Sequence, residues 1–300
     1  MSATTTDPFS ALSDAIADRV AASASLVAAV RVREGRQLSG IAWRPDLVVT
    51  SDQALPERDG YEVALAGGVQ PATLAGRDGG TNVAVLRVAG AAVETAPVAG
   101  VARTGALALA LGAGADGGVT TRLAAMREAG AAWHSAAGGR IDALLRLDMR
   151  ASRAEEGGPV VDAAGRLIGM ATAGPRGRAL VIPHATIARA VQSILTHGTV
   201  RGGWLGVGLQ PVSIPQALRA ACGQETGLMA VSIAGGGPAE QAGILPGDIL
   251  LALDGEAMIR LRGIRGKLGP DRVGQAVEIR LMRGGVVQAV QLTVGARPAR

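Results

Sequence analysis

The stretch GPAEQAGILPGDILLALDGE, residues 237–256, decides the fold of the last third of the chain. It predicts a short helix, a Pro-Gly turn, a strand at 249–253 and an Asp-Gly turn, because an apolar run of strand length lies between two turn signals. Strand-like runs flank it: one begins at Trp204, and 271–295 reads as a hairpin that turns at Gly284-Gly285. The last third is therefore a small β-rich domain with one or two helices.

The chain before this domain has a different pattern. Asp7-Pro8 supplies a helix cap and a first-turn proline. Between 26 and 183, many short runs rich in Val, Leu and Ile alternate with Gly, Asp and Pro turns, which indicates an all-β barrel or sandwich; a short helix at 183–197 follows. The predicted order is a helical N-terminal segment, a barrel domain, a linker and the small domain, at 1–25, 26–198, 199–203 and 204–297.

This order of elements resembles the HtrA/Deg family, in which a trypsin-like serine protease domain precedes a PDZ domain. The motif at 237–256 is similar to the PDZ signature, and RAEEGGPVVDAAGRLIGM at 153–170 is similar to the stretch that carries the family's nucleophile. The resemblance covers roughly residues 9–296. It implies a mainly β fold, a chymotrypsin/trypsin-like double β-barrel followed by a small α+β PDZ domain.

Three stretches place the family's catalytic triad on this sequence. LVVTSDQAL at 47–55 resembles the strand that leads to the catalytic histidine, whose place is taken by Gln53. GGTNVAVLRV at 79–88 resembles the aspartate stretch, whose place holds Asn82, and Glu156 stands where the family has its serine. The intervals between these places are of the size that the family shows, so a slipped alignment does not explain the three differences.

These three side chains do not fit the roles of the triad. The Gln53 amide does not titrate near neutral pH and cannot take and return a proton, and Asn82 carries no charge to stabilise an imidazolium. The Glu156 carboxylate is a weak nucleophile with no base behind it. Since loss of one central triad member costs about 10⁴–10⁶ in rate, we expect no triad-based proteolysis and no catalytic residue here. The chain is therefore predicted not to be an enzyme.

Other residues are not expected to rescue catalysis. Ser152 has no histidine beside it, Lys267 falls in the small domain, and the lone Cys222 is more typical of packing than of a nucleophile. The histidines all lie outside the histidine place; they are His134, His184 and His197. No spacing of His, Cys or carboxylates indicates a metal site, and no cofactor is expected.

Glu156 leaves two interpretations open. In the family, the turn before Gly157-Gly158 presents backbone N–H groups, and such a nest binds anions, so the carboxylate would fill the former oxyanion hole or pair with Arg150 or Arg153. Alternatively, Glu156 points into solvent from a relaxed loop. The neighbouring Glu155 is expected to diverge from Glu156 and not to form a general-acid pair with it.

The PDZ resemblance also implies a peptide groove. Trp204-Leu205-Gly206-Val207 resembles the loop whose backbone N–H groups receive a peptide's C-terminal carboxylate. The strand that follows, with Leu209, would pair with the peptide by β-augmentation. Ile264 and Leu268, at helical i, i+4 spacing, would line the pocket for its side chain. The alternatives are a groove filled by the chain itself, or residues that serve only the core.

Composition limits the partners and the location. The net charge is +5, the basic residues are spread along the chain, and only 2% of residues are aromatic, which argues against nucleic-acid binding. No uncharged apolar run reaches the ~18 residues of a membrane span, and no secretory signal is recognisable. With a single cysteine as well, a cytoplasmic location is expected.

The predicted function is that of an inactive HtrA-like pseudoprotease that binds, scaffolds or regulates other proteins through its PDZ domain. The expected partners are protein C termini or extended peptides, and an active HtrA-like relative. By analogy with the family, a homo-oligomer is expected as well. Two alternatives remain: an active serine endopeptidase or hydrolase that uses unidentified residues, and a structural subunit whose groove is closed.

Overall fold

The computed structural model describes residues 7–33, 36–66, 68–90, 97–115, 117–198, 200 and 202–298, without the side chains of 33, 262, 263 and 265. The predicted N-terminal segment 1–25 and linker 199–203 thus lie partly outside the described residues. The chain divides into two compact units, which comprise 1–133 with 141–200 and 134–140 with 201–300.

Helix α1 (Pro8–Ser23) opens the first unit. The Asp7 carboxylate accepts a hydrogen bond of 3.1 Å from the Ser10 amide, which satisfies one of the donors that a helix leaves unpaired at its start. Ile16 and Val20, one helical turn apart, pack against a buried apolar cluster of the barrels. The cap and the apolar stripe together explain why this segment is a helix.

Six antiparallel strands close into a first barrel in the order β1-β2-β3-β6-β5-β4. Their bounds are β1 Val27–Arg33, β2 Arg36–Arg44, β3 Leu47–Ser51, β4 Tyr61–Leu65, β5 Gly68–Asp78 and β6 Val83–Val88. Branched apolar side chains fill the interior, and Val30, Val63 and Leu86 are fully buried there. Because the barrel is closed, these six strands leave no open edge.

A second closed barrel follows, in the order β11-β14-β13-β12-β7-β8. Its strands are β7 Leu107–Ala113, β8 Val119–Gly130, β11 Leu144–Arg150, β12 Pro159–Asp162, β13 Leu167–Ala173 and β14 Arg178–Pro183. Between β8 and β11 in the chain lies a two-stranded ribbon of β9 (Trp133–His134) and β10 (Arg140–Ile141).

An apolar cluster joins the two barrels to helix α2 (His184–His197). It contains Ile41 and Val83 from the first barrel, Met170 from the second and Ile187 from α2, all of them buried. Because side chains from all three elements interdigitate, the strand ends that meet at this junction are held in fixed positions. The candidate site of the first unit lies at those strand ends.

The second unit contains a sheet in the order β16-β17-β18-β20-β21, with β19 paired to β18, and a separate pair of β15 and β22. The strands are β15 Gly203–Trp204, β16 Val207–Ser213, β17 Thr226–Ile233, β18 Ile249–Leu253, β19 Glu256–Ala257, β20 Ala276–Arg283, β21 Val286–Thr293 and β22 Gly295–Ala296. The helices are α3 Gln216–Cys222, α4 Pro238–Gln241 and α5 Leu261–Lys267. Strand β16 is therefore an edge of its sheet.

The predicted fold class is confirmed, since two closed barrels precede a small domain of strands and short helices. The hairpin predicted at 271–295 is formed by β20 and β21 around Gly284-Gly285. Among the described residues, none of the helices combines the length and the apolar character needed to cross a membrane.

Candidate functional site

Two glycines shape the loop that carries Glu156, between β11 and β12. Gly157 has a φ of +84°, and a Cβ on it would lie 2.3 Å from the Ser39 carbonyl oxygen in the first barrel. A Cβ on Gly158 would lie 2.1 Å from the Leu111 carbonyl oxygen in the second barrel. Glycine is needed at both positions because the loop backbone touches both barrels.

Gln53, Asn82 and Glu156 lie together at this loop. Gln53 belongs to the 3₁₀ turn Asp52–Ala54 after β3, and Asn82 lies between β5 and β6. The Gln53 backbone N–H donates to Asn82 Oδ1 over 2.7 Å, and Gln53 Nε2 donates to Glu156 Oε1 over 3.1 Å. The three places that the sequence intervals assign thus meet in one hydrogen-bonded cluster.

Three further groups hold the Glu156 carboxylate. Ser51 Oγ donates to Oε1 over 2.6 Å and Thr172 Oγ1 donates to the same oxygen over 2.8 Å. The Ala173 backbone N–H donates to Oε2 over 2.6 Å. The sequence reasoning missed Ser51 and Thr172. Their signal is a hydroxyl residue at or next to the end of a buried, mostly apolar strand, Ser51 in LVVTS of β3 and Thr172 in LIGMATA of β13.

The surroundings of Glu156 match neither interpretation left open by the sequence. The residue is only 8% exposed, so it does not point into solvent. Its described partners are neutral donors on β3, on the turn after it and on β13, rather than Arg150 or Arg153. The buried carboxylate lies within this cluster, and the four donors supply the hydrogen bonds that a buried carboxylate needs.

Glu155 turns the other way, as expected for adjacent residues in a turn. It is buried, and its Oε2 lies 3.8 Å from Nη1 of Arg122 on β8. The same guanidinium nitrogen donates to the Arg150 carbonyl oxygen over 2.8 Å, so Arg122 contacts both ends of the loop. Glu155 therefore contacts β8 of the second barrel, whereas Glu156 lies among donors from both barrels.

The remaining candidates from the sequence lie outside the cluster. Ser152 Oγ accepts a hydrogen bond from the Ala154 amide, and Lys267 forms an ion pair with Glu256 in the second unit. His134 lies at the end of β9 and His197 at the end of α2. His184 stacks on Trp43, and Cys222 is buried. Burial lowers the pKa of His184, which favours its neutral form. Among the described residues, no cluster of His, Cys, Asp or Glu is suited to a metal ion.

The loop before β16 directs two backbone N–H groups outward. The carbonyl oxygens of Leu205 and Gly206 accept hydrogen bonds of 2.8 Å from the amides of Ala239 and Ala234. A trans peptide unit carries its C=O and the next N–H on opposite sides, and the described residues contain no cis peptide. The N–H groups of Gly206 and Val207 therefore point away from these partners, and the φ of +76° at Gly206 produces this turn.

The residues expected to line the peptide groove are mostly packed into the domain. Ile264 is 7% exposed and Leu268 is 6% exposed, and both belong to the same buried cluster as Leu205. Val207 and Leu209 are half-buried against that cluster, and Trp204 is half-buried as well. The apolar wall is present, but little of the α5 side of it is exposed in this conformation.

Comparisons with known proteins agree with these two units. The trypsin-like peptidase domain family matches residues 38–170, and the PDZ domain family matches residues 203–294. A probable periplasmic serine endoprotease DegP-like of Rhizobium meliloti (strain 1021) is 31% identical over 283 residues, which cover 90% of this chain and 55% of the relative. A protein of the same description from Brucella suis is 29% identical over 264 residues, 84% of this chain and 50% of the relative. The chain thus spans about half the length of the curated relatives it matches.

Solved structures give the same result. HtrA-type protease AlgW with a decapeptide superposes with a TM-score of 0.70 at 25% identity, and the match covers 95% of this chain and 99% of that chain. AlgW with a tripeptide gives a TM-score of 0.67 at 28% identity, over 95% and 98% of the two chains. The fold and the two sites define a trypsin-like peptidase domain followed by a PDZ domain. Within that class the chain is a homologue of the DegP/HtrA proteins, which confirms the resemblance found in the sequence.

Two expectations from the sequence are contradicted by these relatives. The chain was predicted not to be an enzyme, whereas the relatives are named serine endoproteases, which points to an enzyme. A cytoplasmic location was predicted, whereas the relatives are named periplasmic. Both expectations rested on signals that were not recognised in the sequence, and the names of the relatives contradict them.

Proposed function

We propose that this protein binds the C-terminal ends of other polypeptides in the groove between β16 and α5. The observation that carries the proposal is the pair of outward N–H groups of Gly206 and Val207 at the start of edge strand β16. Adjacent backbone donors form a nest for a terminal carboxylate, and an edge strand accepts an extended peptide by β-augmentation. That AlgW is described with a decapeptide and with a tripeptide supports the proposal.

The side chains around the nest favour an apolar C-terminal residue. Leu209 on β16, Ile264 on α5 and Leu268 directly after α5 belong to one apolar surface, which suits an apolar side chain. Because Ile264 and Leu268 are nearly buried, α5 must move outward when a peptide enters. Gly263 and Gly266 lie in this seven-residue helix, and glycine lowers helix stability, so such a movement costs little.

Binding of fluorescein-labelled decapeptides with apolar C termini tests the proposal. Leu209→Glu should weaken binding at least ~10-fold, because it places a charge in the apolar wall and the charge must be desolvated when the peptide binds. The matched control is Val286→Glu at the opposite edge of the same sheet, which is already 66% exposed and should leave the affinity unchanged. Equal affinities of the two variants would contradict the proposal. Failure of the natural chain to bind these decapeptides would contradict it as well.

A second candidate function is hydrolysis of peptide bonds, and the names of the relatives favour it. Casein turnover by the purified chain, together with labelling by a fluorophosphonate serine probe, tests it. Labelling of one serine, with turnover lost when that serine becomes alanine, would establish the activity. Ser152 is the first residue to replace because it lies in the loop that carries Glu156. Absence of turnover and of labelling would exclude a serine hydrolase.

We also propose that the protein acts outside the cytoplasm, because the relatives are named periplasmic. Fractionation of the native host by osmotic shock, followed by immunoblotting, tests the location. Recovery with a periplasmic marker enzyme is expected, and recovery with a cytoplasmic marker would contradict it.

A further inference from the structure

The carboxylate of Glu156 is enclosed by four donors from other parts of the chain. Ser51 Oγ, Gln53 Nε2 and Thr172 Oγ1 lie at 2.6, 3.1 and 2.8 Å from Oε1, and the Ala173 N–H lies at 2.6 Å from Oε2. Both carboxylate oxygens are thus satisfied by neutral groups. We refer to these four donors as the carboxylate cradle.

The cradle is held in place by bonds that do not involve Glu156. Asn82 Nδ2 donates to Ser51 Oγ over 3.1 Å and to Thr172 Oγ1 over 2.8 Å. Each hydroxyl therefore accepts from Asn82 and has its proton for an acceptor. For Ser51, the carboxylate oxygen at 2.6 Å is nearer than Asn82 Oδ1 at 3.3 Å. Asn82 Oδ1 accepts from the Gln53 backbone N–H, which can only donate, so the orientation of the Asn82 amide is fixed.

The Gln53 amide is fixed in the same way. Gln53 Nε2 donates to the Ala173 carbonyl oxygen over 3.2 Å and lies 2.9 Å from Thr172 Oγ1, in addition to its bond to Glu156. Because Ala173 O can only accept, the NH₂ end of Gln53 faces the carboxylate. Bonds to other groups thus hold the Gln53 amide and both hydroxyl oxygens in place around the carboxylate, and preorganised donors bind anions well.

We propose that the cradle is a carboxylate-binding site, and that Glu156 is its built-in ligand. Shortening Glu156 to alanine removes two carbons and the two oxygens, which is the heavy-atom outline of acetate. Shortening it to serine leaves the Oγ atom in place of one of those carbons and makes room for formate. The site takes small monocarboxylates once the side chain is removed, and it selects them by length.

Thermal unfolding of the full chain at neutral pH tests the proposal, with sodium acetate or sodium formate compared with sodium chloride at equal ionic strength. In Glu156→Ala, acetate should raise the unfolding midpoint by about 3–6 °C at ten times its dissociation constant, because a ligand bound only to the folded state stabilises it. In Glu156→Ser, formate should exceed acetate. The natural chain should respond to neither, since Glu156 already fills the cradle.

Two controls make the result decisive. Adding Thr172→Val to Glu156→Ala removes one donor at nearly constant volume and should abolish most of the acetate response. The serine variant keeps a residue that trypsin-like loops carry at this place, so it covers the case in which the alanine variant does not fold. An equal carboxylate response in the natural chain and the variants overturns the proposal, and so does its absence in the folded variants.

Discussion

The Gln53 amide donates a hydrogen bond of 3.1 Å to the Glu156 carboxylate at the junction of the two barrels. The Gln53 backbone N–H donates to Asn82 Oδ1 over 2.7 Å, so Gln53 links Asn82 to Glu156. The site therefore holds one buried carboxylate, and the neighbouring donors on β3 and β13 face it.

Replacing Glu156 by glutamine should lower the free energy of unfolding by about 1–3 kcal/mol. The new NH₂ group must face one of the four cradle donors, so a buried donor is left without an acceptor. Urea unfolding monitored by circular dichroism measures the change. Glu62→Gln in the exposed Arg31–Glu62 pair of the first barrel is the control and should cost under ~1 kcal/mol. Equal effects of the two changes would show that the cradle adds nothing to stability.

Asn82→Asp should destabilise the chain at pH 7. A second carboxylate beside Glu156 would repel it, and the Ser51 and Thr172 hydroxyls would be drawn from Glu156 to the new acceptor. Urea unfolding at pH 7 measures this. A variant as stable as the natural chain at pH 7 would contradict the role given to Asn82.

Gly157→Ala should destabilise the barrels by about 2–5 kcal/mol, through left-handed strain and the clash with Ser39 O together. Gly105→Ala is a matched control, because its φ of +85° is nearly the same and no atom lies within 4 Å of the new Cβ. The control should lose only the strain, about 1 kcal/mol. Equal losses of unfolding free energy in the two variants would contradict the close contact between the loop and the first barrel.

The Asp248–Arg283 pair should make the second unit sensitive to acid. Burial alone would raise the pKa of Asp248, but hydrogen bonds from Arg283 and the Leu245 amide outweigh it and hold that pKa below its usual value. The folded pKa lies below the unfolded value of about 3.9. The stabilisation is therefore complete above that pH and is lost as the pH falls through the folded pKa.

Asp248→Asn tests this dependence. It should cost about 1–3 kcal/mol at pH 7, since Arg283 loses its acceptor, and should flatten the fall in stability between about pH 4 and 2. Urea unfolding at several pH values measures both effects. Glu278→Gln, an exposed carboxylate on β20, should change neither. An acid limb as steep as that of the natural chain would exclude the pair as its cause.

Much of the fold was predictable because its signals are local. Apolar runs between turn residues marked the strands, and the motif at 237–256 marked the second unit. The intervals along the chain singled out Gln53, Asn82 and Glu156 as one group. The structure brings these three residues into one cluster.

The contacts within the site could not be predicted in the same way. Ser51 and Thr172 are ordinary strand residues, and only the pairing of the two barrels brings them to Glu156. The near-complete burial of Ile264 depends on the packing of α5, which helical spacing does not reveal. The enzyme and location predictions relied on signals that were not recognised in the sequence, and the relatives contradict both.

The most direct test of the proposed function compares one decapeptide in two forms, with a free C-terminal carboxylate and with a C-terminal amide. The N–H groups of Gly206 and Val207 are assigned to the carboxylate, so amidation should weaken binding to the full chain by about 10–100-fold, the loss expected for hydrogen bonds to a charged group. Calorimetric titration gives both affinities. Equal affinities for the acid and the amide would contradict the recognition of C termini.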